Sequence, residues 1–327
     1  MKNIFITEGD PTGISYEIFD ETLDILKKKS KQFRFILVSS QNEISSKAEK
    51  EFLSINSRVS IELALTDRAN AKIISYKNTI LSKKEAKELK LGKPSVLSGK
   101  VAFASLQTAI ELQKKFGGDI ITLPLSKEWV IKSGIKEFKG HTEVFATEYK
   151  RKTVMLMYGN HLKVIPLTTH IPLYKVSSEL KKINLPAIVS AIQNSKLMHS
   201  PKIAFCGLNP HAGEDGKIGQ EEIEIIKPYI AEMKRLGLNV VGPIPADSLF
   251  IPEISKNFDL ILACYHDQGL IPFKSMEGKN GINVTLGLDF LRVSPDHGTA
   301  FDIAGKKIAN PGSLIQCIKV LTRHGIH

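Results

Sequence analysis

The sequence predicts an α/β protein built on largely parallel sheets, and three observations carry that prediction. Apolar, β-branched runs alternate with amphipathic stretches from one end of the chain to the other. Several of those runs stop abruptly in polar, turn-forming peptides, the kind that follow strands in a parallel sheet. No internal repeat, low-complexity tract or long Pro/Gly/Ser linker breaks the alternation, so the domains share crossing strands and do not hang on a tether.

Taken in order, the strands are Asn3 to Thr7, Phe33 to Ser39, Asp119 to Leu123, Thr153 to Met157, Lys202 to Cys206, Asp259 to Cys264, Ile282 to Leu286 and Leu291 to Ser294. Each is an apolar run of strand length, too short for a buried helix. Helices fall between them. One runs from about Gly99 to Lys115 and is stopped by Gly117-Gly118. After Gly219, apolar residues at Ile223, Ile226, Ile230, Met233 and Leu236 recur every three or four positions, which gives one buried stripe. Acidic residues come early in that segment and basic ones late, as a helix dipole favours, and Pro228 kinks or divides it.

A chain of 327 residues holds one large or two medium domains, and two are expected. With 42% hydrophobic and 24% charged residues the composition is that of an ordinary globular protein. No stretch approaches the ~18 apolar residues of a spanning helix, and the N-terminus lacks the hydrophobic region of a secretory signal. A cytoplasmic protein with no membrane contact is expected. Cys206, Cys264 and Cys317 lack CxxC spacing and read as small buried apolar residues. The net charge of +11 does not point to nucleic acid, because the lysines are spread through segments such as Leu26 to Lys31 and Ser82 to Lys93, with no arginine-rich run and no interleaved aromatics. It leaves a basic surface whose field attracts phosphorylated metabolites.

Three histidines stand at strand ends: His170 in TTHIP, His211 in LNPHAGEDG and His266 in CYHDQG. Imidazoles delivered in this way can converge on one divalent metal, and their wide spacing makes that a tertiary site, unlike a zinc finger or an HExxH helix. The glycine-rich loop Gly207 to Gly219 brings backbone close to a ligand. Asp267, beside His266, can support a ligand histidine or act as a base. A second polar constellation comprises His141 and Thr142 in GHTE, with Lys274, Asn283 and Arg292, which suit a phosphate or carboxylate. No GxGxxG follows any strand. The dinucleotide candidate is therefore the turn-rich segment Asp296 to Ala309, with His297, Gly298, Thr299 and Asp302; GDPTG at residues 9–13 is a weak glycine loop.

The strings GDPTG, SGKVAFASLQTAI, GHTE, TTHIPL, GLNPHAGEDGKIGQEEI, GPIPADSLF, CYHDQGLIPFK and GINVTLGLDFLRVSPDHGTAFDIAGK together resemble the 4-hydroxythreonine-4-phosphate dehydrogenase family of pyridoxal phosphate (pyridoxine, vitamin B6) biosynthesis. They run in family order from Gly9 to about Lys306. The resemblance implies a two-domain isocitrate and isopropylmalate dehydrogenase-like fold, with a discontinuous NAD-binding domain at 1–128 plus 272–327 and a metal- and dimer-interface domain at 129–271. It implies NAD (or NADP)-dependent, divalent-metal-dependent oxidative decarboxylation of 4-phosphohydroxy-L-threonine to 3-amino-2-oxopropyl phosphate. The enzyme would work as a homodimer with its active site at the subunit interface.

Carried over by motif, the metal ligands are His170, His211 and His266, for zinc, magnesium or cobalt. Substrate contacts are His141, Thr142, Lys274, Asn283 and Arg292. The HGTAFDIAGK loop, through His297, Gly298, Thr299 and Asp302, resembles the loop that holds the adenosine half of NAD in isopropylmalate dehydrogenase. Asp247, in PADS, and Asp267 are the candidates for proton handling or ligand orientation. A paralogous dehydrogenase of threonate or erythronate 4-phosphate is the alternative, because fold does not fix substrate. Two peptides depart from the family pattern: Ser15-Tyr16 replace a glycine and a proline, and Pro124-Leu125-Ser126-Lys127 replaces Pro-Ile-Asn-Lys.

Overall fold

The structure, a computed structural model, describes residues 1–41, 53–66 and 73–324. Its strands are β1 Lys2–Thr7, β2 Phe33–Gln41, β3 Leu53–Ile55, β4 Ile73–Ile80, β5 Asp119–Thr122, β6 Val154–Tyr158, β7 Lys163–Pro166, β8 Lys202–Cys206, β9 Asn239–Ile244, β10 Leu260–Ala263, β11 Ile282–Leu286 and β12 Arg292–Pro295. The chain forms two compact units, Met1–Val144 with Phe290–His327, and Phe145–Asp289.

In the first unit the strands run β3-β4-β2-β1-β5-β12, every pair parallel. Helices cover both faces of such a sheet, so its central strands are apolar throughout: Ile4, Phe5 and Ile6 of β1 are all fully buried. Phe5 sits opposite Ile36 on one side and Ile120 on the other. The helix Val96–Phe116 packs on this sheet. It opens with Ser95 and Ser98 capping each other's backbone and ends at Gly117, whose φ of +66° turns the chain out of the helix.

The second unit runs β11-β6-β7-β10-β8-β9. The β11/β6 and β6/β7 pairs are antiparallel, and β7/β10, β10/β8 and β8/β9 are parallel. Met157, Val164, Cys206, Ile261 and Phe273 build its core, each large side chain contributing roughly 1.5–3 kcal/mol by burial. The Glu277 carboxylate, also buried, accepts hydrogen bonds from the amides of Asn160, His161 and Leu162 and closes the β6–β7 turn.

Both unit limits fall later than the sequence suggests. Residues 127–144 stay with the first unit because the helix Lys127–Lys132 packs on Val96–Phe116. Residues 272–289 stay with the second because β11 pairs with β6. His141 and Thr142 therefore lie in the first unit, and Lys274 and Asn283 in the second.

Strands β3, β4, β7 and β9 carry no clear sequence signal. β3 and β7 are very short, and β9 holds a Gly-Pro pair in its interior. The segment after Gly219 divides as Pro228 foretold. A π-helical stretch, Glu222–Ile226, leads directly into the α-helix Lys227–Arg235, with Pro228 in the first turn of the latter. The departures from the family pattern meet inside the first unit. Tyr16, buried, donates its hydroxyl to Glu8 Oε2 at 2.7 Å, and the Ser15 hydroxyl reaches the Pro124 carbonyl at 3.4 Å.

Gly99 marks a close approach of the helices Val96–Phe116 and Lys127–Lys132: a Cβ there would stand 2.3 Å from the carbonyl of Trp129. Gly99→Ala is expected to destabilise the protein by about 1–3 kcal/mol through overpacking, read as a lower denaturant midpoint at unchanged m-value.

Candidate functional site

Strands β7, β10 and β8 are consecutive parallel neighbours, so their C-terminal ends lie on one edge of the second unit's sheet. That edge is where a parallel sheet offers its loops to a ligand. Each of the three strands runs into one of the sequence-predicted histidines. After β7 the chain turns through Thr168 to His170, which is exposed and held in the left-handed region at φ +53°. After β10, Tyr265 is extended and His266 opens the helix His266–Glu277.

After β8 the backbone does something unusual. Residues 211–216 all have positive φ: His211 +52°, Ala212 +51°, Gly213 +80°, Glu214 +40°, Asp215 +52° and Gly216 +93°. A left-handed turn costs roughly 1–2 kcal/mol for each non-glycine residue, so His211, Ala212, Glu214 and Asp215 need surrounding structure to hold them. Glu222 supplies it. Its buried carboxylate accepts from the amides of Leu208 and Asn209, both at 2.7 Å, and from Asn209 Nδ2 at 2.9 Å.

His170 and His266 come together, ring centroids 5.7 Å apart and planes inclined by 42°. Nδ1 of His266 is hydrogen-bonded to Asp267 Oδ1 at 2.6 Å, and Nδ1 of His211 to Glu214 Oε1 at 2.8 Å. A carboxylate on one ring nitrogen fixes the tautomer with the proton there and leaves Nε2 as the lone-pair donor, the arrangement typical of metal-ligand histidines. The donor chemistry thus suits a divalent cation. Among the described residues, however, no group of three or more His, Cys, Asp or Glu side chains is placed to hold one, so a single chain offers the His170/His266 pair and leaves His211 outside it. A cavity of about 450 Å³ adjoins the pair, lined by Thr168, Ile171, Leu173, Val176 and Tyr265 as well as His170, His266 and Asp267.

Of the other expected residues in this unit, Asp247 is exposed on the short helix Ala246–Leu249, and Lys274 is exposed on the helix that begins at His266. Asn283, on β11, has a buried Oδ1 with no hydrogen-bond partner.

The first unit holds the anion-binding candidates. Arg292, the first residue of β12, is 1% exposed and donates to the Thr122 hydroxyl of β5. Burial pulls its guanidinium down to about 10, which still leaves it charged at neutral pH. His141 and Thr142 begin the helix His141–Tyr149, next to Glu143. The His141 ring meets Phe138 edge-on at 6.4 Å, and its Nε2 is shut off from solvent without a partner. Burial, with Arg292's charge added, holds this imidazole well below its usual 6.5. A buried guanidinium and a neutral imidazole with an unused ring nitrogen have the chemistry that suits an anionic, hydrogen-bonding group.

His141 has a consequence for stability. The unfolded chain binds the proton more tightly than the fold does, so stability is highest above about pH 6.5 and falls as acid protonates the unfolded state. Denaturant midpoints taken from about pH 7.5 down to 5 should fall, and His141→Gln should flatten that slope.

Residues 296–309 are tied to the first loop. Thr299 accepts at its carbonyl from the Ile14 amide (3.0 Å), and the Glu17 carboxylate accepts from the amides of Gly305 (3.2 Å) and Ala309 (3.0 Å). His297 uses Nδ1 on the Gly298 carbonyl at 3.1 Å while its buried Nε2 has no partner. Gly298 and Asp302 are exposed, and a Cβ on Gly298 would meet nothing within 4 Å. Sequence reasoning passed over Glu17, Glu214, Glu222 and Gln268. Glu214, three residues after a histidine, was findable only by someone who already expected a left-handed turn.

The chain matches the family model described as pyridoxal phosphate biosynthetic protein PdxA over residues 25–321. It is 38% identical to the 4-hydroxythreonine-4-phosphate dehydrogenase of Aquifex aeolicus over 326 residues, 98% of this chain and 97% of that protein. The corresponding protein of Sulfurihydrogenibium sp. is 35% identical over 98% of this chain and 97% of its own. Among solved structures, the 4-hydroxythreonine-4-phosphate dehydrogenase of Klebsiella pneumoniae superposes with a TM-score of 0.79 at 31% identity, covering 99% of each chain. A terephthalate 1,2-cis-dihydrodiol dehydrogenase from Burkholderia xenovorans shares the fold, with a TM-score of 0.64, at 24% identity, over 99% of this chain and 98% of that one.

Proposed function

This chain belongs to the family of pyridoxal phosphate biosynthetic protein PdxA, a family of dehydrogenases, and on that basis we propose that it oxidises 4-hydroxythreonine 4-phosphate with NAD or NADP and a divalent metal. The observation that carries the proposal is the pairing of His170 with His266 at the C-terminal ends of adjacent parallel strands, with Asp267 fixing which nitrogen of His266 faces outward.

His170, His211 and His266 would hold the cation, completed across a homodimer in which the active site lies at the subunit interface. Leu173 and Tyr174, 68% and 81% exposed beside the histidine pair, are apolar surface of the kind a second copy would cover. When bound, the cation supplies Lewis acidity toward the substrate's secondary hydroxyl and toward the charge that develops on decarboxylation, and the nicotinamide supplies the hydride acceptor.

The chain's own groups do the rest. Arg292, His141 and Thr142, with Lys274 and Asn283, bind the phosphorylated substrate; the guanidinium carries the charge, and the neutral imidazole and the amide fix orientation. Because Asp267 is occupied by His266, its part is to orient that ring. Asp247 is left as the candidate that takes the hydroxyl proton. Loss of hydride and proton leaves a β-keto acid, whose C–C bond breaks to release carbon dioxide and, after protonation, 3-amino-2-oxopropyl phosphate. His297, Gly298, Thr299 and Asp302 would receive the adenosine half of the dinucleotide, on a loop held by Glu17.

The experiment is a parallel assay of NADH formation from 4-phosphohydroxythreonine, threonate 4-phosphate and erythronate 4-phosphate. The first is expected to be turned over with the highest kcat/KM; a preference for either of the others would assign the chain to a paralogous activity.

A further inference from the structure

The three histidine-bearing strand ends are fastened to one another by hydrogen bonds that converge on the backbone of a single residue, Cys264. Its amide donates to Gln268 Oε1 at 2.7 Å. Its carbonyl accepts from the Thr168 hydroxyl at 2.8 Å, two residues before His170. Gln268 then uses its Nε2 to donate to the Gly207 carbonyl at 2.8 Å, at the root of the loop that carries His211. One side-chain amide thus spans β10 and β8, and one hydroxyl spans β7 and β10. Each pair of strands is already held by its own ladder, yet those ladders end at Ala263 and Pro166 on one side and at Leu262 and Phe205 on the other, before the histidine loops begin. Past the strand ends, the Leu167 amide still reaches the Ala263 carbonyl at 2.8 Å and the Cys264 thiol the Cys206 carbonyl at 3.5 Å, and Thr168 and Gln268 add the side-chain bonds that carry the registration on toward the histidine loops. Thr168 is 6% exposed, which shields its bond from competing water.

We propose that Thr168 and Gln268 are positioning residues that set the mutual placement of the loops bearing His170, His211 and His266, and so set the affinity of the protein for its divalent cation. This rests on the metal-binding role given to those histidines above. A donor set must be placed to within a fraction of an ångström before the ion arrives, because a mobile loop loses conformational freedom on binding, and that loss weakens affinity.

Near-isosteric variants test this without opening a cavity. Thr168→Val removes the hydroxyl, Gln268→Met removes both amide bonds, and Thr168→Ser keeps the hydroxyl. Each metal-free protein is titrated with Co²⁺ alone, following the visible ligand-field absorption, and NAD affinity and the thermal midpoint are measured alongside. Thr168→Val and Gln268→Met are expected to weaken Co²⁺ binding by roughly 10-fold or more, Thr168→Ser to stay within about threefold of the unsubstituted protein, and NAD affinity to be unchanged in all three. If Gln268→Met does not fold, the Thr168→Val and Thr168→Ser pair decides alone. Co²⁺ affinity unchanged in folded Thr168→Val, with only the thermal midpoint lowered, overturns the positioning role and leaves the metal site standing. An unsubstituted protein that gives no saturable Co²⁺ spectrum overturns the metal role itself, and the positioning role with it.

Discussion

Replacing Arg292 by alanine is expected to lower kcat/KM for the phosphorylated substrate by roughly 30- to 1000-fold, about 2–4 kcal/mol, while turnover of the unphosphorylated analogue changes far less. The size follows from burial. Arg292 is 1% exposed, so an anion bound to it is desolvated on both sides, and the interaction escapes the screening that makes surface ion pairs nearly worthless. Burial has already pulled its guanidinium down to about 10, the direction that desolvation imposes on a buried cation. Arg292→Lys should recover little, because a point charge on a flexible stem does not reproduce a planar fork of donors braced by Thr122. Steady-state kinetics on the substrate and its unphosphorylated analogue check this. An equal loss on both substrates would show that Arg292 supports the fold and not the phosphate.

The second large effect is at His266. His266→Ala is expected to reduce kcat by about 10³-fold or more and to abolish the gain in activity when a divalent ion is returned to chelator-treated protein. Asp267→Asn should act in the same direction with a smaller amplitude, roughly 10- to 100-fold in metal affinity, because the ring keeps its place but loses the partner that fixes its tautomer. The ordering of the two losses matters more than either value. An Asp267→Asn loss in kcat as large as that of His266→Ala, with metal affinity intact, would make Asp267 the base instead of an orienting group.

Much of the architecture was legible in the residues. β8 and β11 fall where their apolar runs place them, and the long helix stops at Gly117 as the Gly-Gly pair requires. Pro228 does divide its segment. What the sequence hid has physical causes. β7 has only Val164 and Ile165 between a lysine and a proline, and the Val240-Val241 run of β9 is broken by Gly242 and Pro243, so neither shows the uninterrupted apolar run that marks a strand. The unit limits were misplaced because the packing of Lys127–Lys132 on Val96–Phe116, and the pairing of β11 with β6, are tertiary choices that leave no local mark.

The candidate site divides in the same way. Strand-end histidines could be read from their peptides. The left-handed turn at residues 211–216 could not, since His, Ala, Glu and Asp all disfavour positive φ and the carboxylate that braces the root of the loop at Leu208 and Asn209, Glu222, comes from the next element. Nor could the contact of the Asp267 carboxylate with His266 Nδ1 be read from the sequence.

The central claim is that imidazoles from His170, His211 and His266 ligate one divalent cation, and X-ray absorption at the cobalt edge of the Co²⁺-loaded protein tests it most directly. The expected spectrum shows outer-shell scattering from imidazole rings, reduced when any one of the three histidines is replaced by alanine. A first shell of oxygen alone, or imidazole scattering unchanged in all three variants, would contradict it.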